Sequence, residues 1–331
     1  MDQEAPSAHW TTTAHRDEVW DWCSEALGPV FGRITGMQQT KLRPWSSIWR
    51  VETVETGFYF KVNCPAQAFE AGVVAELGAL APDQVVPVVA LDRVTGFLLT
   101  PDQGPVLAES GGDDLDVWCR VAREGALLQR AVLPGIGRLE AAGLTRLVPA
   151  DAEEYLTDLI DRWARLDSAD PRHLAVDDAA RLSRLLPELR RWVDRVSELG
   201  LPITLNHNDL HEHNVFDVDG RLRFFDFGDA LLTEPLQVLL IPLNLLRDRL
   251  DCGPDDPRLV DVAGAALEVW SDLAPLADLR AALPAALQLG RLGRCESWAR
   301  VTAQMSPSEL GQYGDAAAAW LLSLLEDPPL C

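Results

Sequence analysis

The tightest constraint on this chain is the stretch His207–Asp229, HNDLHEHNVFDVDGRLRFFDFGD. Short β-like runs at Ile203–Leu205 and Asn214–Phe216 bracket the polar loop His207–Asn214. The DVDG of Asp217–Gly220 reads as a hairpin turn, and a third run, Arg221–Phe225, leads into Asp226–Phe227–Gly228. A loop held this way presents Asp209 and Asn214, five residues apart, and the last strand presents Asp226 twelve residues beyond Asn214. Three oxygen-bearing side chains then converge on one edge.

That donor set suits a hard cation such as Mg²⁺, which takes oxygen ligands and keeps phosphate as a co-ligand. Phosphoryl transfer uses such a cation to offset phosphate charge, and a carboxylate to orient and deprotonate the attacking hydroxyl. The kinase template H-R-D-x-x-x-x-N followed by D-F-G appears here as H-N-D-L-H-E-H-N followed by D-F-G. A D-F-G alone would carry little weight; the combined spacing is specific. His207, His211 and His213 raise a zinc reading, but no suitable cysteine and no H-x-x-x-H helix accompanies them. A degenerate nucleotide-binding module would have lost Asp209, Asn214 or Asp226, and all three are present.

Upstream of this stretch the pattern divides in two. Residues 15–27 place Val19, Trp22, Cys23 and Leu27 at helical spacing. Met37–Leu42, Ser47–Val54 and Gly57–Val62 then read as strands, with Glu55–Gly57 as a turn. A helix is expected over Ala66–Leu80, and two further strands at Val85–Leu91 and Gly96–Thr100. Pro101–Pro105 breaks the pattern. Helices dominate beyond it: Asp114–Ala131, Asp151–Leu166, Val176–Leu199, and the chain after Pro235. The expectation is an α+β fold of two lobes, a sheet-rich lobe over residues 1–103 and a helical lobe over 104–331 that carries the loop. A ligand cleft belongs between them. At 331 residues the chain can bury a core in each lobe.

Composition excludes several alternatives. The formal charge is −22 and no basic patch interrupts it, which argues against nucleic-acid binding. No apolar run reaches membrane-spanning length, and the N-terminal residues lack the basic start and apolar centre of a signal peptide, so no membrane association and a cytoplasmic setting are expected. The six cysteines are scattered without C-x-x-C spacing. Of 29 basic residues two are lysines, Lys41 and Lys61, and the remaining 27 are arginines. Lys61 sits in the apolar strand FYFKV, where a lysine is rare unless paired.

These motifs make the chain resemble the aminoglycoside phosphotransferase and choline kinase-like family, the small-molecule branch of the protein-kinase-like fold. That branch shows H-G-D-L-H-x-x-N followed by D-F/W-G-D, and this chain departs from it only at Asn208, where glycine is usual. Asparagine is the next most tolerant residue of left-handed backbone, so the loop is expected to keep its course. The loop is H-x-D-L-H and no activation segment or A-P-E follows Asp229, which separates the chain from protein kinases.

The resemblance implies roles. Asp209 would be the catalytic base, Asn214 and Asp226 the metal ligands, His207 a brace of the loop, and Asp229 a supporting acid. Lys61 would grip the α- and β-phosphates of ATP or GTP. Glu70, followed by Leu77, fits the helix glutamate that pairs with it, with Glu76 as the alternative. Ser46 and Ser47, in RPWSSIWRV, would lie over the phosphates in place of a glycine-rich loop. Backbone groups near Leu99 and Asp102, in FLLTPD, would hold adenine.

The implied activity is transfer of a γ-phosphoryl group to the hydroxyl of a small molecule. An aminoglycoside or related antibiotic is the first acceptor suggested, because Glu234, Asp248, Asp251, Asp255, Asp256 and Glu296 offer carboxylates to a cation. Choline, homoserine or a sugar is the alternative, and a non-catalytic nucleotide-binding module the alternative outside the class. Trp270 and Trp298 are candidates for an apolar wall. Acceptor identity, regiochemistry and oligomeric state stay open.

Overall fold

The computed structural model describes residues 5–110 and 114–331. Helix α1 (Thr13–Phe31) starts at Thr12, whose hydroxyl accepts the His15 N–H at 3.2 Å. Its buried stripe of Val19, Cys23 and Leu27 repeats every fourth residue. This stripe packs on one face of an antiparallel sheet built from β1 (Ile34–Arg43), β2 (Ser46–Thr53), β3 (Gly57–Asn63), β4 (Ala90–Leu91) and β5 (Leu98–Pro101). The strand order is β1-β2-β3-β5-β4. Alternation along β3 buries Phe58, Phe60 and Val62 and turns the part-buried Tyr59 and Lys61 to the opposite face. That second face forms the roof of a cleft.

Two expectations shift here. The helix expected from Ala66 begins at Glu70 (α2, Glu70–Leu80), because Pro65–Gln67 winds a tight 3₁₀ turn first. The strand expected over Val85–Leu91 shortens to β4. Pro87 interrupts it, having no N–H to donate. The residues before it pair elsewhere: Phe224 N–H donates to Gln84 O at 2.8 Å and Val86 N–H to Phe224 O at 3.1 Å. The sheet-rich part is thereby stitched to the segment that carries Asp226.

The remainder is mainly helical: α3 (Leu115–Ala131), α4 (Ala152–Trp163), α5 (Val176–Ser197), α6 (Leu240–Leu250), α7 (Pro257–Leu267), α8 (Leu276–Thr302) and α9 (Asp315–Leu322) surround the larger core. Asp114 caps α3 by accepting the Asp116 N–H at 3.0 Å. Gly125 on α3 permits a close approach, since a Cβ there would stand 2.9 Å from Leu210 of the loop. Three short strands position that loop: β6 (Thr204–Asn206), β7 (Val215–Val218) and β8 (Arg221–Phe224). A fourth, β9 (Leu231–Thr233), was not expected; it pairs with β6, Asn206 opposite Leu231. His207 thus leaves one strand of this ladder and Asp229 enters the other two residues before it begins. The fold is α+β and two-lobed, with an antiparallel sheet in front and helices behind. No helix among the described residues is long and apolar enough to cross a membrane.

Candidate active site

The loop holds its shape through backbone turns that few residue types tolerate. Asn208 has φ +64°, the left-handed conformation that glycine or asparagine adopts most readily. Its N–H donates to Asn206 Oδ1 at 2.9 Å. Its side-chain amide reaches Ser297 Oγ at 2.7 Å, Gly293 O at 2.9 Å and Asp229 O at 3.1 Å. The departure from glycine therefore ties the loop to α8. His207 is buried and donates from Nε2 to Phe225 O at 2.9 Å, with its ring 4.8 Å from that of Phe227. Burial, partly offset by Asp209, lowers its pKa, so the ring is neutral.

Asp226 also takes a left-handed turn, φ +63°, which swings its carboxylate off the end of β8 into the cleft. Lys61 Nζ stands 2.6 Å from Asp226 Oδ1 and 2.6 Å from Glu70 Oε2. Burial opposes the charge on Lys61, but Asp226 and Glu70 outweigh it and raise the pKa. Burial likewise opposes the charge on Asp226, and Lys61 outweighs it. Glu70 is buried, accepts the Phe227 N–H at 2.9 Å and also binds the Asn63 amide. It couples α2 to both Lys61 and the D-F-G segment. Glu76 points elsewhere, bridging Arg93 at 2.8 Å and Arg138 at 2.5 Å on the surface.

Asp209 faces Asn214 and His211 through Oδ2, at 3.3 and 3.4 Å. Its Oδ1 faces Arg294 of α8, 3.2 Å away. Burial works against ionisation, yet Arg294, then His211, hold the Asp209 carboxyl well below the usual carboxylate range. The same Arg294 Nη1 donates to Asp229 Oδ2 at 3.0 Å and Asn208 O at 2.7 Å. Asp229 Oδ1 accepts from Gln67 Nε2 at 3.0 Å, joining the two lobes across the cleft. Burial raises the Asp229 pKa, with Arg294 offsetting part of the rise.

Three cavities run along the cleft. The first, about 400 Å³, lies under the sheet between Lys41, Lys61, Leu98, Thr100, Phe225 and Asp226. The second, about 410 Å³, shares Lys41 and Asp226 with the first and adds Asp209, Asn214 and Arg294. The third, about 780 Å³, shares Asp209 and Arg294 with the second and opens between α6, α8 and α9. Asp209 and Asp226 therefore stand at the junction of a sheet-side chamber and a helix-side chamber.

Several sequence expectations are corrected by this geometry. Ser46 and Ser47 do not line the cavities; Ser47 is fully buried, its Oγ accepting from Gln39 Nε2 and Trp49 Nε1, both at 2.9 Å. Lys41, which the sequence reading passed over, lies there instead. It follows a β-bulge between Gln39 and Lys41, a device that re-aims a side chain. The usable signal was that both lysines of the chain line one cavity. Leu99 faces the core and its carbonyl accepts the Val89 N–H at 2.8 Å, so Leu98 and Thr100 form the wall by strand alternation. The Asp102 N–H is spent on Gly57 O at 3.0 Å and its carboxylate on Arg50 at 2.7 Å.

On the helix side, only Asp248 of the suggested acidic residues lines the large cavity. Glu234 is buried, accepts the Leu236 N–H at 3.0 Å, and is pushed up to about 8 by burial. Glu296 accepts from the Tyr155 hydroxyl at 2.7 Å. Asp251, Asp255 and Asp256 fall in the connection between α6 and α7. Trp298 lines the cavity, whereas Trp270 is core.

No family model matches this sequence, and no curated protein sequence matches it significantly. Solved structures do. The chain superposes on an ethanolamine kinase of Plasmodium vivax with a TM-score of 0.64 at 12% identity, covering 98% of this chain and 95% of that one. A type I macrolide 2′-phosphotransferase gives 0.59 at 19% identity, over 94% and 98%. The choline kinase LicA of Streptococcus pneumoniae gives 0.53 at 13%, over 93% and 99%. The fold is that of the small-molecule phosphotransferases, as the sequence motifs anticipate.

Proposed function

We propose that this protein is a nucleotide-dependent kinase that moves the γ-phosphoryl group of ATP or GTP to a hydroxyl of a small molecule. The observation that carries the reading is the junction of chambers at Asp209, Asn214, Asp226 and Lys61. The sheet-side chamber takes the nucleotide, with Leu98 and Thr100 against the base and Lys41 and Lys61 against the phosphates. The helix-side chamber takes the acceptor. The proteins of similar structure are named for ethanolamine, choline and macrolides, so a hydroxylated metabolite or antibiotic is the acceptor class.

The donors at the junction fit Mg²⁺. They are the oxygens of the Asp226 carboxylate and Asn214 Oδ1, the Asn214 Nδ2 being turned to Asp209 O at 2.9 Å. When bound, the cation offsets charge on the phosphates. The protein's own groups do the rest. Lys61, held by Glu70, places a fixed positive charge beside the phosphates. Arg294 fixes Asp209 Oδ1, and Oδ2, steadied by Asn214 Nδ2 at 3.3 Å, would accept the hydrogen bond of the acceptor hydroxyl and take its proton as the new O–P bond forms and the bond from the γ-phosphorus to the nucleoside diphosphate breaks. A carboxylate this weakly basic orients the hydroxyl first and takes the proton late.

Asp209→Asn tests the assignment. Nucleotide affinity should stay within about threefold, while acceptor-dependent ADP release falls by roughly 10²–10⁴. Unchanged turnover removes Asp209 from the role. Nucleotide binding with no ADP release over a broad hydroxylated panel would instead point to a non-catalytic module.

A further inference from the structure

We infer that the helix-side cavity takes a drug-sized hydroxylated molecule that carries no ammonium group, lays an apolar face beside Trp298 and Trp320, and turns an oxygen acceptor or anion to Arg247. This rests on the proposed kinase reading and names the acceptor of the same site.

Size comes first. A cavity of about 780 Å³ lies in the range that encloses a drug-sized ligand; a small amino alcohol would leave most of it wet. Charge comes second. An ammonium group buried in protein needs an uncommitted carboxylate. Asp209 is matched by Arg294 at 3.2 Å, and Glu212 forms an ion pair with Arg249. Asp248 and Glu326 also line the cavity, with side chains open to water, where a carboxylate holds a cation only weakly. Against them stand Arg247 and Arg291. Arg247 is part-exposed, with its Nε 3.6 Å from Asp248 Oδ1, beyond hydrogen-bond reach. Arg291 is buried and donates to Glu326 O at 2.7 Å, Asp327 O at 3.0 Å and Gln288 Oε1 at 2.8 Å. No carboxylate of the described residues lies within ion-pair distance of it, and its Nε has no partner.

An aromatic cage is the other way to hold an ammonium group, and here one ring already carries a cation. The Arg294 guanidinium already lies 5.5 Å over the Trp320 ring. Trp298 makes an edge contact with Trp45 at 5.4 Å, and Trp45 another with Tyr313 at 5.2 Å. A polycation entering here would meet guanidinium groups, which is how a site rejects a ligand by repulsion. Apolar carbon fits the exposed ring surface, and Arg247 supplies a donor fork for oxygen.

Calorimetry on the full chain with ADP and Mg²⁺ tests this with four probes: kanamycin, its fully N-acetylated form, 4-methylumbelliferyl glucoside and 4-methylumbelliferyl glucuronide. N-acetylation should tighten binding of the kanamycin skeleton. Both umbelliferyl probes should bind at least about tenfold more tightly than kanamycin. Arg247→Glu reverses one cavity charge on a part-exposed side chain, so the variant should fold. It should weaken the glucuronide about tenfold and strengthen kanamycin about as much. Kanamycin binding more tightly than its acetylated form, or an Arg247→Glu variant with an unchanged preference, overturns the inference. So does a wild-type protein that binds none of the four. A fluorescent-ADP titration run in parallel reads the sheet-side chamber, so loss of the kinase reading is seen separately.

Discussion

Glu70→Gln perturbs the candidate site at its most buried ion pair while keeping the side chain's shape. Lys61 Nζ lies 2.6 Å from both Glu70 and Asp226, and the Lys61 and Glu70 side chains are 14% and 2% exposed. At an effective dielectric of about 20, opposite charges at that separation attract by about 6 kcal/mol gross. Desolvation cancels much of this. Removing one partner of a buried pair costs about 3–5 kcal/mol, and the low end applies here because Asp226 remains to hold Lys61. Urea unfolding without nucleotide should therefore show a loss of about 3 kcal/mol. Turnover should fall more steeply, by roughly 100-fold. Lys61 would settle onto Asp226 alone, away from the phosphates, and the Phe227 N–H loses its carboxylate acceptor. Glu76→Gln is the internal control. Its partners Arg93 and Arg138 are 53% and 55% exposed, so the bridges are worth at most about 1 kcal/mol, and turnover should be unchanged. ADP release by both variants, measured beside their melts, decides the point. If Glu76→Gln harms turnover as much as Glu70→Gln does, or Glu70→Gln keeps both stability and activity, the Lys61 assignment is wrong.

Lys41→Met should raise the nucleotide KM about tenfold at low salt and less at high salt, with kcat little changed; a KM independent of salt would place Lys41 outside the phosphate field. Asn208→Ala puts a residue without asparagine's tolerance of left-handed backbone at φ +64° and removes the amide bonds to α8. It should cost about 3 kcal/mol, and Asn208→Gly less; equal losses would show that the left-handed turn is not the constraint. Glu234 titrates near 8 in the fold against an ordinary 4.5, so its contribution to stability is full below 4.5 and is lost as pH rises to 8. Glu234→Gln should flatten that decline and raise the melting temperature at pH 8 relative to pH 5, and parallel pH profiles for the two proteins would contradict the burial.

The sheet was legible in the chain because its strands alternate. Phe58, Phe60 and Val62 bury on one face, and Lys61 is left to the cleft by the same period. That period also shows why the reading erred at Leu99. Backbone groups near Leu99 were expected at the cavity, but the Leu99 carbonyl is spent on the Val89 N–H, and one step along β5 exchanges the core for the cavity, so Leu98 and Thr100 carry the wall. Ser47 fails similarly: it shares the core face of β2 with Trp49, two residues on, and its hydroxyl accepts from Trp49 Nε1 there and from Gln39 Nε2 across the hairpin, so it is turned away from the cleft. The strand β9 escaped because Leu231–Thr233 is too short to show a period, and only its ladder with β6 makes it a strand. The loop motif is less open to such slips because what brings its residues together is spacing and turn geometry. Asp209, Asn214 and Asp226 meet through turns at positions 208 and 226, where asparagine and aspartate accept φ values near +64° and +63°.

The helix-side chamber was illegible for a different reason. Helix α8 is buried nearly all round, so its polar residues do not mark an outer face. Arg291, Arg294 and Trp298 follow one another at helical spacing of three and four, which places them along one stripe. In a sequence where almost every basic residue is arginine, two more arginines inside a helix carry no contrast. What distinguishes them is burial: a guanidinium in an apolar helix must find acceptors or a ligand. Arg294 finds Asp209 and Asp229, and Arg291 finds main-chain carbonyls. The carboxylates beside Arg294 are thus answered from within the fold, and of those counted from sequence as a welcome for cations only Asp248 lines the chamber. A net charge of −22 describes the protein's surface and says nothing about the sign of the chamber that faces Asp209.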